Sequence, residues 1–380
     1  MKSLSIQSTA SELSASLEKV KSIAPQLLVV FTSSQILSDK SVTDKIRAAI
    51  PAPAHIVGCS TSGEIGDRVD DNSIALLAMS FNNTPLGVTS INLTGGDQSR
   101  EGGKSIAKNL LRDGLRGVFV LAPGKDINGS RLVEGMREEL PKNVAVFGGL
   151  AGGGVSFGTT YTILDDTIAP NQIVAVGLYG DKIRISTGSQ GGWKTFGPLR
   201  KVTKAVDNVL YELDDKPALD LYKQYLGEKA KELPGSGLLY PFAILNKETK
   251  APELIRTILA INEEDKSLVF AGNIDEGSDV SLMHAGNDAL VNGASDAATE
   301  IANHAALTSD SATICISCIG RKLLMGNDTE DELDAVKDVL GSSQFLGFYS
   351  NGEISALNNG GTAELHNQTM TITYLYEDAA

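Results

Sequence analysis

Apolar and polar positions along the chain fall into three stretches that carry the same succession of elements. In the first, Leu13, Leu17 and Val20 follow Ser8-Thr9-Ala10-Ser11 at helical spacing, which predicts a capped amphipathic helix. Residues 26–32 (QLLVVFT) form a continuous apolar run of strand length, the kind buried on both faces. Val42, Ile46, Ala49 and Ile50 return to helical spacing, and strands are predicted at residues 55–59 and 73–81. The second stretch repeats this order. It has a helix over 103–111, a strand over 117–121 (GVFVL), a helical face at Leu132, Met136 and Leu140, and strands at 144–147 and 159–164. The third lies far downstream, with a long helix over 285–306, a strand over 311–319, a helix over 331–340, and strands at 344–349 and 369–375. Helices alternating with strands imply helix-covered sheets with some parallel pairing. The expected fold class is therefore mixed α/β, built from repeated helix-strand-helix-strand-loop-strand units in two domains.

Between the second and third stretches, residues 171–179 and 182–187 predict a hairpin across Gly180-Asp181. A glycine-rich segment around the single tryptophan follows (GGWKTFGP), then a helix over 217–226 ending near Gly227 and a turn at 233–237. The domain boundary is expected in the region 190–232.

Each stretch ends its inner strand in a small-residue corner. Gly58-Cys59-Ser60-Thr61-Ser62-Gly63-Glu64-Ile65 is matched position for position by Gly347-Phe348-Tyr349-Ser350-Asn351-Gly352-Glu353-Ile354, as G-x-x-[ST]-[SN]-G-E-I. The run Gly148-Gly149-Leu150-Ala151-Gly152-Gly153-Gly154 stands at the same place in the second stretch. One such corner reads as a tight turn whose hydroxyls satisfy local backbone. Three at equivalent places suggest related units whose loops converge on a shared pocket.

Composition narrows the function classes. Lys+Arg number 33 against Asp+Glu 47, a formal charge of -14, which disfavours nucleic acid and anionic membrane surfaces as partners. The polar start resembles no secretory signal, and the longest apolar run, residues 74–79, is far short of a membrane span. Three cysteines without framework spacing fit a reducing compartment, so the expected setting is cytoplasmic without membrane insertion.

Catalytic and metal signatures fail on spacing. His55 and Cys59 share a strand face but would sit roughly 13 Å apart, too far for a dyad. Ser62 stands where a G-x-S-x-G motif needs its second glycine. Cys315 and Cys318 form C-x-x-C inside a strand, where i and i+3 face opposite ways. Gly102-Gly103-Lys104-Ser105 lacks the leading glycine of a phosphate loop, because position 98 is Gln98. His55, His284, His304 and His366 are scattered, with no zinc pair, though haem needs only one imidazole in an apolar slot. A metal ligand set stays unknown. No catalytic residue is expected, with a hydrolase or transferase kept as the outside alternative.

HIVGCSTSGEI, VFGGLAGG, GGWKTFGPLRKVTKA with YELDDKPALDLYKQYLG, CISCIGR, GFYSNGEIS and ELHNQTMTI together resemble the FIST family across most of the chain, from about Leu27 to Tyr374. The resemblance implies a FIST N-like α/β sensory domain over 25–215 and a FIST C-like domain over 216–376. It implies a cytoplasmic signalling protein that binds an amino-acid-like ligand between the two domains. Its partner would be a histidine kinase, a chemoreceptor or a cyclic-di-GMP enzyme. One subgroup, the NosP-type proteins, binds haem and senses nitric oxide to control a histidine kinase; haem is thus the alternative cofactor, none being required otherwise. The ligand-binding residues expected on these motifs are Cys59, Ser60, Thr61, Gly63 and Glu64, then Gly148 and Gly149, then Arg321, Asn351, Gly352, Glu353 and His366. Arg321 offers a fork to a carboxylate and either glutamate a counter-charge to an ammonium. Pairing of Arg321 with a glutamate as scaffold is the other reading.

Overall fold

Three sheets of identical connectivity enclose one apolar core, and each carries helices on its outer face. The computed structural model describes residues 1–341, 343–357 and 360–378. The first unit contains β1 (Lys2–Ser8), α1 (Leu13–Lys21), β2 (Leu27–Ser33), α2 (Ser34–Leu37), α3 (Lys40–Ala49), β3 (His55–Thr61), β4 (Glu64–Ile65), β5 (Val69–Asp70) and β6 (Ile74–Ser80). The second contains β7 (Leu86–Asn92), α4 (Ser99–Leu110), β8 (Leu115–Ala122), α5 (Gly129–Glu139), β9 (Ala145–Leu150), β10 (Thr162–Leu164), β11 (Thr167–Ala169) and β12 (Gln172–Tyr179).

β13 (Ile183–Gln190) opens the third unit, which is interrupted by an insert. The insert holds β14 (Lys194–Val206), β15 (Val209–Leu213), β16 (Lys216–Pro217), α6 (Ala218–Leu226), β17 (Phe242–Leu245), β18 (Pro252–Arg256), β19 (Ile258–Asn262), β20 (Ser267–Phe270) and β21 (Asp279–His284). The third unit resumes with α7 (Asn287–Ala302), β22 (Ser311–Cys318), α8 (Ile319–Met325), α9 (Thr329–Leu340), β23 (Gln344–Ser350), β24 (Gly352–Ala356), β25 (Ala363–His366) and β26 (Met370–Glu377).

The sheet orders are β1-β6-β2-β3-β10-β11, β7-β12-β8-β9-β24-β25 and β13-β26-β22-β23-β4-β5. In each, the central pair is parallel (β2/β3, β8/β9, β22/β23) and the hairpin at the far edge is donated by another unit. The strands are apolar on both faces because both are covered. In β2, Leu27, Val29 and Phe31 enter the shared core with Phe119, Phe147, Ile316 and Phe348. The alternate residues Leu28 and Val30 pack with Leu13, Leu17, Val42 and Ile46 of the helices outside. Phe31 and Phe348 join two units across the core, ring centroids 4.5 Å apart.

The insert has its own core, in which Leu210, Tyr222, Phe242, Leu268 and Phe270 are fully or almost fully buried. The sequence division at 215/216 falls inside this insert, just before β16. The expected hairpin across Gly180-Asp181 is corrected. β12 pairs with β7 and β8, whereas β13 leaves for another sheet and pairs with β26. A two-residue turn signal is local, and here the long-range pairing of both strands overrides it. No helix among the described residues is long and apolar enough to cross a membrane.

Candidate functional site

The three corners are equivalent by register. Gly58 lies opposite Val30, Gly148 opposite Val120, and Gly347 opposite Cys315. A Cβ at these glycines would stand 2.0, 1.8 and 1.8 Å from the carbonyl oxygen of that neighbour, so only glycine lets the parallel strands close. The chain then turns at each corner, and the three turns hydrogen-bond to one another in a ring. The Ser62 N–H donates to Tyr349 O at 2.8 Å, Gly152 N–H to Ser60 O at 2.8 Å, and Asn351 N–H to Leu150 O at 3.2 Å. The expected convergence of the corners is therefore present.

The two glutamates face inward and are engaged by the fold, which corrects their assignment to a ligand amine. Glu64 accepts the Thr61 hydroxyl on one oxygen, and the Ser73 N–H (3.0 Å) and hydroxyl (3.1 Å) on the other. Glu353 does the same with the Ser350 hydroxyl (2.6 Å) and with the Thr369 hydroxyl (2.9 Å) and N–H (3.3 Å). Thr162 holds the third equivalent place, donating its hydroxyl to Gln172 O at 2.7 Å. Each therefore ties a donated hairpin to the start of a closing strand. Burial raises the Glu64 pKa to about 7 and that of Glu353 to about 8, against hydroxyl and amide donors that pull the other way.

Arg321, fully buried, is corrected from a carboxylate fork to scaffold. Its guanidinium bonds Glu332 through Nε (3.0 Å) and Nη2 (2.7 Å), and the carbonyls of Gly191 and Leu290. Glu332 also accepts Ser317 (3.0 Å) and Tyr349 (2.8 Å) hydroxyls. Cys59 packs in the shared core, and burial pushes its thiol pKa up. The Ser60 hydroxyl donates to Gly152 O at 2.8 Å. Gly63 turns with φ +134, Gly149 faces Gly352 O, and Gly352 packs on Leu150 and Leu365. His366 is buried away from the ring of turns. Its Nε2 lies 3.0 Å from Ser355 O and its Nδ1 3.3 Å from Ser189 Oγ, and burial lowers its pKa to about 4.

Of the expected residues, Asn351 alone lines the cavity that opens beside the corners. This cavity, of about 450 Å³, lies between the three-unit body and the insert. One wall is Gly124, Lys125, Ile127, Leu150, Phe157, Cys318, Ile319, Gly320, Asn351 and Asn367; the other is Pro234, Gly235, Leu238, Thr257, Ile258, Leu259 and Ala271. The lining is chiefly apolar, as small-molecule sites are. The Oδ1 atoms of Asn351 and Asn367 and the Thr257 hydroxyl are buried and have no hydrogen-bond partner among the described residues. Asn367 is 1% exposed and Thr257 3%. Buried polar atoms are almost always paired, so three orphans around one hollow make this cavity the candidate site.

The cavity does not fit haem. Its lining has no histidine, and Cys318, the one cysteine there, is held as a thiol because burial pushes its pKa up. His55 pairs with Asp165 at 3.2 Å, and His284 and His304 are exposed. No group of three or more His, Cys, Asp or Glu among the described residues is placed to hold a metal ion.

Comparison with solved structures pairs the chain with a cyanuric acid hydrolase from A. caulinodans. The identity is 9%, the match covers 100% of this chain and 99% of that one, and the TM-score is 0.41. The sequence reading expected no enzyme, whereas this neighbour is a hydrolase; at that score the likeness carries no argument about the activity of this chain. Uncharacterized protein MJ1623 of Methanocaldococcus jannaschii is 25% identical over 359 residues, 86% of this chain, and the match spans 65% of that relative's length. The FIST N domain model matches residues 26–216 and the FIST C domain model residues 218–356, so the chain belongs to the FIST family, whose domains are sensory domains in signal transduction.

Proposed function

We propose that this protein is a small-molecule sensor whose ligand occupies the 450 Å³ cavity between the three-unit body and the insert. The observation that carries this reading is the set of three unpartnered oxygens, on Asn351, Asn367 and Thr257, lining an otherwise apolar hollow. Asn351 and Asn367 belong to the body and Thr257 to the insert, so a bound molecule bridges the two and clamps them together. That clamp is the signal offered to a partner such as a histidine kinase, a chemoreceptor or a cyclic-di-GMP enzyme.

The test is a thermal-shift panel of amino acids, amides and heterocycles, run on the intact chain and on Asn367→Leu. A ligand at 100 times its Kd adds about 2.7 kcal/mol, which for a chain of this length raises Tm by about 3 °C. The rise is expected in the parent and absent in the variant. A panel that leaves Tm unmoved at saturating concentrations rejects the cavity as a sensing site.

A further inference from the structure

We infer that the molecule recognised in this cavity is a neutral, apolar compound bearing N–H or O–H donors, such as an amide, lactam or NH-heterocycle, and not a zwitterion. This rests on the cavity being the sensing site, as proposed above. The side-chain amides fix the sign of the recognition. Asn367 Nδ2 donates to His366 O at 2.9 Å and Asn351 Nδ2 to Gly124 O at 3.2 Å. A carbonyl accepts only from the NH2 end, so both Oδ1 atoms are left over as acceptors without donors. A ligand satisfying them must donate twice, and the Thr257 hydroxyl can take either role.

Charge is excluded from both directions. An anionic group would meet two carbonyl dipoles of the wrong sign. An ammonium would find no carboxylate in the lining, where Lys125 is the one charged residue among the described residues and is exposed at the rim. Arg256, next in the chain to Thr257, is a buried positive charge that further opposes an ammonium. It is held by the carbonyls of Asn273 (2.6 Å), Ile255 and Leu365 (both 3.1 Å) and lies outside the lining, where it offers no contact to an anion. Desolvating an ion without a counter-charge costs several kcal/mol, whereas a neutral donor loses only hydrogen bonds that the asparagines restore. Leu150, Leu238, Ile258 and Ile319 supply the contact for the apolar body.

The experiment uses matched probes on the full chain. 2-Naphthamide and related two-ring lactams are compared with their N-methylated forms, with phenylalanine and leucine, and with 2-phenylethylamine, by thermal shift and by titration calorimetry. Expected is binding of the N–H-bearing neutral probes, at least tenfold weaker once the nitrogen is fully methylated and lost in Asn367→Leu. Asn367→Asp supplies a carboxylate where the amide was, and is expected to shift preference towards 2-phenylethylamine. Equal binding of methylated and unmethylated probes overturns the inference. So does binding of amino acids alone, dependent on Asn367, which would leave the cavity a sensing site with a charged ligand. If no probe of any class binds, the inference falls together with the sensing role of the cavity.

Discussion

Replacing Glu353 by Gln tests whether this carboxyl is a neutral staple inside the fold. Its folded pKa is raised by burial to about 8, from an ordinary value of 4.5. Between those values the folded state holds a proton that the unfolded chain gives up. Stability from this group is therefore complete below pH 4.5 and is lost as pH rises towards 8. The slope is about 1.4 kcal/mol per pH unit, or roughly 3 kcal/mol between pH 5 and pH 7. Glutamine has the same shape and no proton to lose. Its Oε1 can accept from Thr369 as Glu353 does, and its amide can donate to Ser350 Oγ. The two proteins should unfold at similar urea concentrations at pH 5, and Glu353→Gln should become the more stable by roughly 3 kcal/mol at pH 7. His366, whose folded pKa is depressed to about 4, gives a slope of opposite sign between pH 4 and 6.5, but it is common to both proteins and cancels in the difference. Difference curves that stay flat across pH 5 to 8, or that fall, would refute the neutral carboxyl and show the hydroxyl donors holding a carboxylate.

Other outcomes follow from the same geometry. Gly347→Ala forces a Cβ to within 1.8 Å of Cys315 O, and should lower stability by about 3 kcal/mol in chemical denaturation, near the upper end for overpacking. Arg321→Met strands the buried Glu332 and should cost about 3–5 kcal/mol, of which Arg321→Met with Glu332→Leu should recover a large part; a double variant no better than the single would remove the ion pair as the cause. Thr257→Val keeps volume in the cavity wall and removes one of the three orphan groups, so the unliganded chain should keep its Tm or gain slightly while ligand-induced shifts shrink.

Much of the body was legible from periodicity. The buried parallel strands are continuous apolar runs, and the repeated glycine has a steric cause that a pattern of single letters can show. The edge strands were not legible. Lys2–Ser8 and Leu86–Asn92 are half-buried and mixed in composition, and they exist because β6 and β12 offer them an edge. Of the insert's strands, β14 is long but breaks register against both its partners, and the others are short, so no period persists long enough to read. Most of the motif residues singled out proved to build the ring of turns or the scaffold behind it. The cavity depends also on Thr257, outside every motif, and on Asn367, which sits in ELHNQTMTI beside the more conspicuous His366. Their meeting with Asn351 is made by the insert folding back over the corners, a long-range event that no local spacing encodes.

The exchange of hairpins among the sheets governs how the polypeptide can assemble while it is made. β9, paired on one side with β8, waits for its second neighbour until Gly352, which pairs with Leu150, has been synthesised. That is 352 − 150 = 202 positions later, about 10–40 s at ordinary ribosomal speeds. Throughout that interval a nascent chain presents an open strand and part of a raw apolar wall, a condition that invites chaperone capture. A truncation ahead of residue 352 should accordingly yield aggregates and not a smaller soluble body.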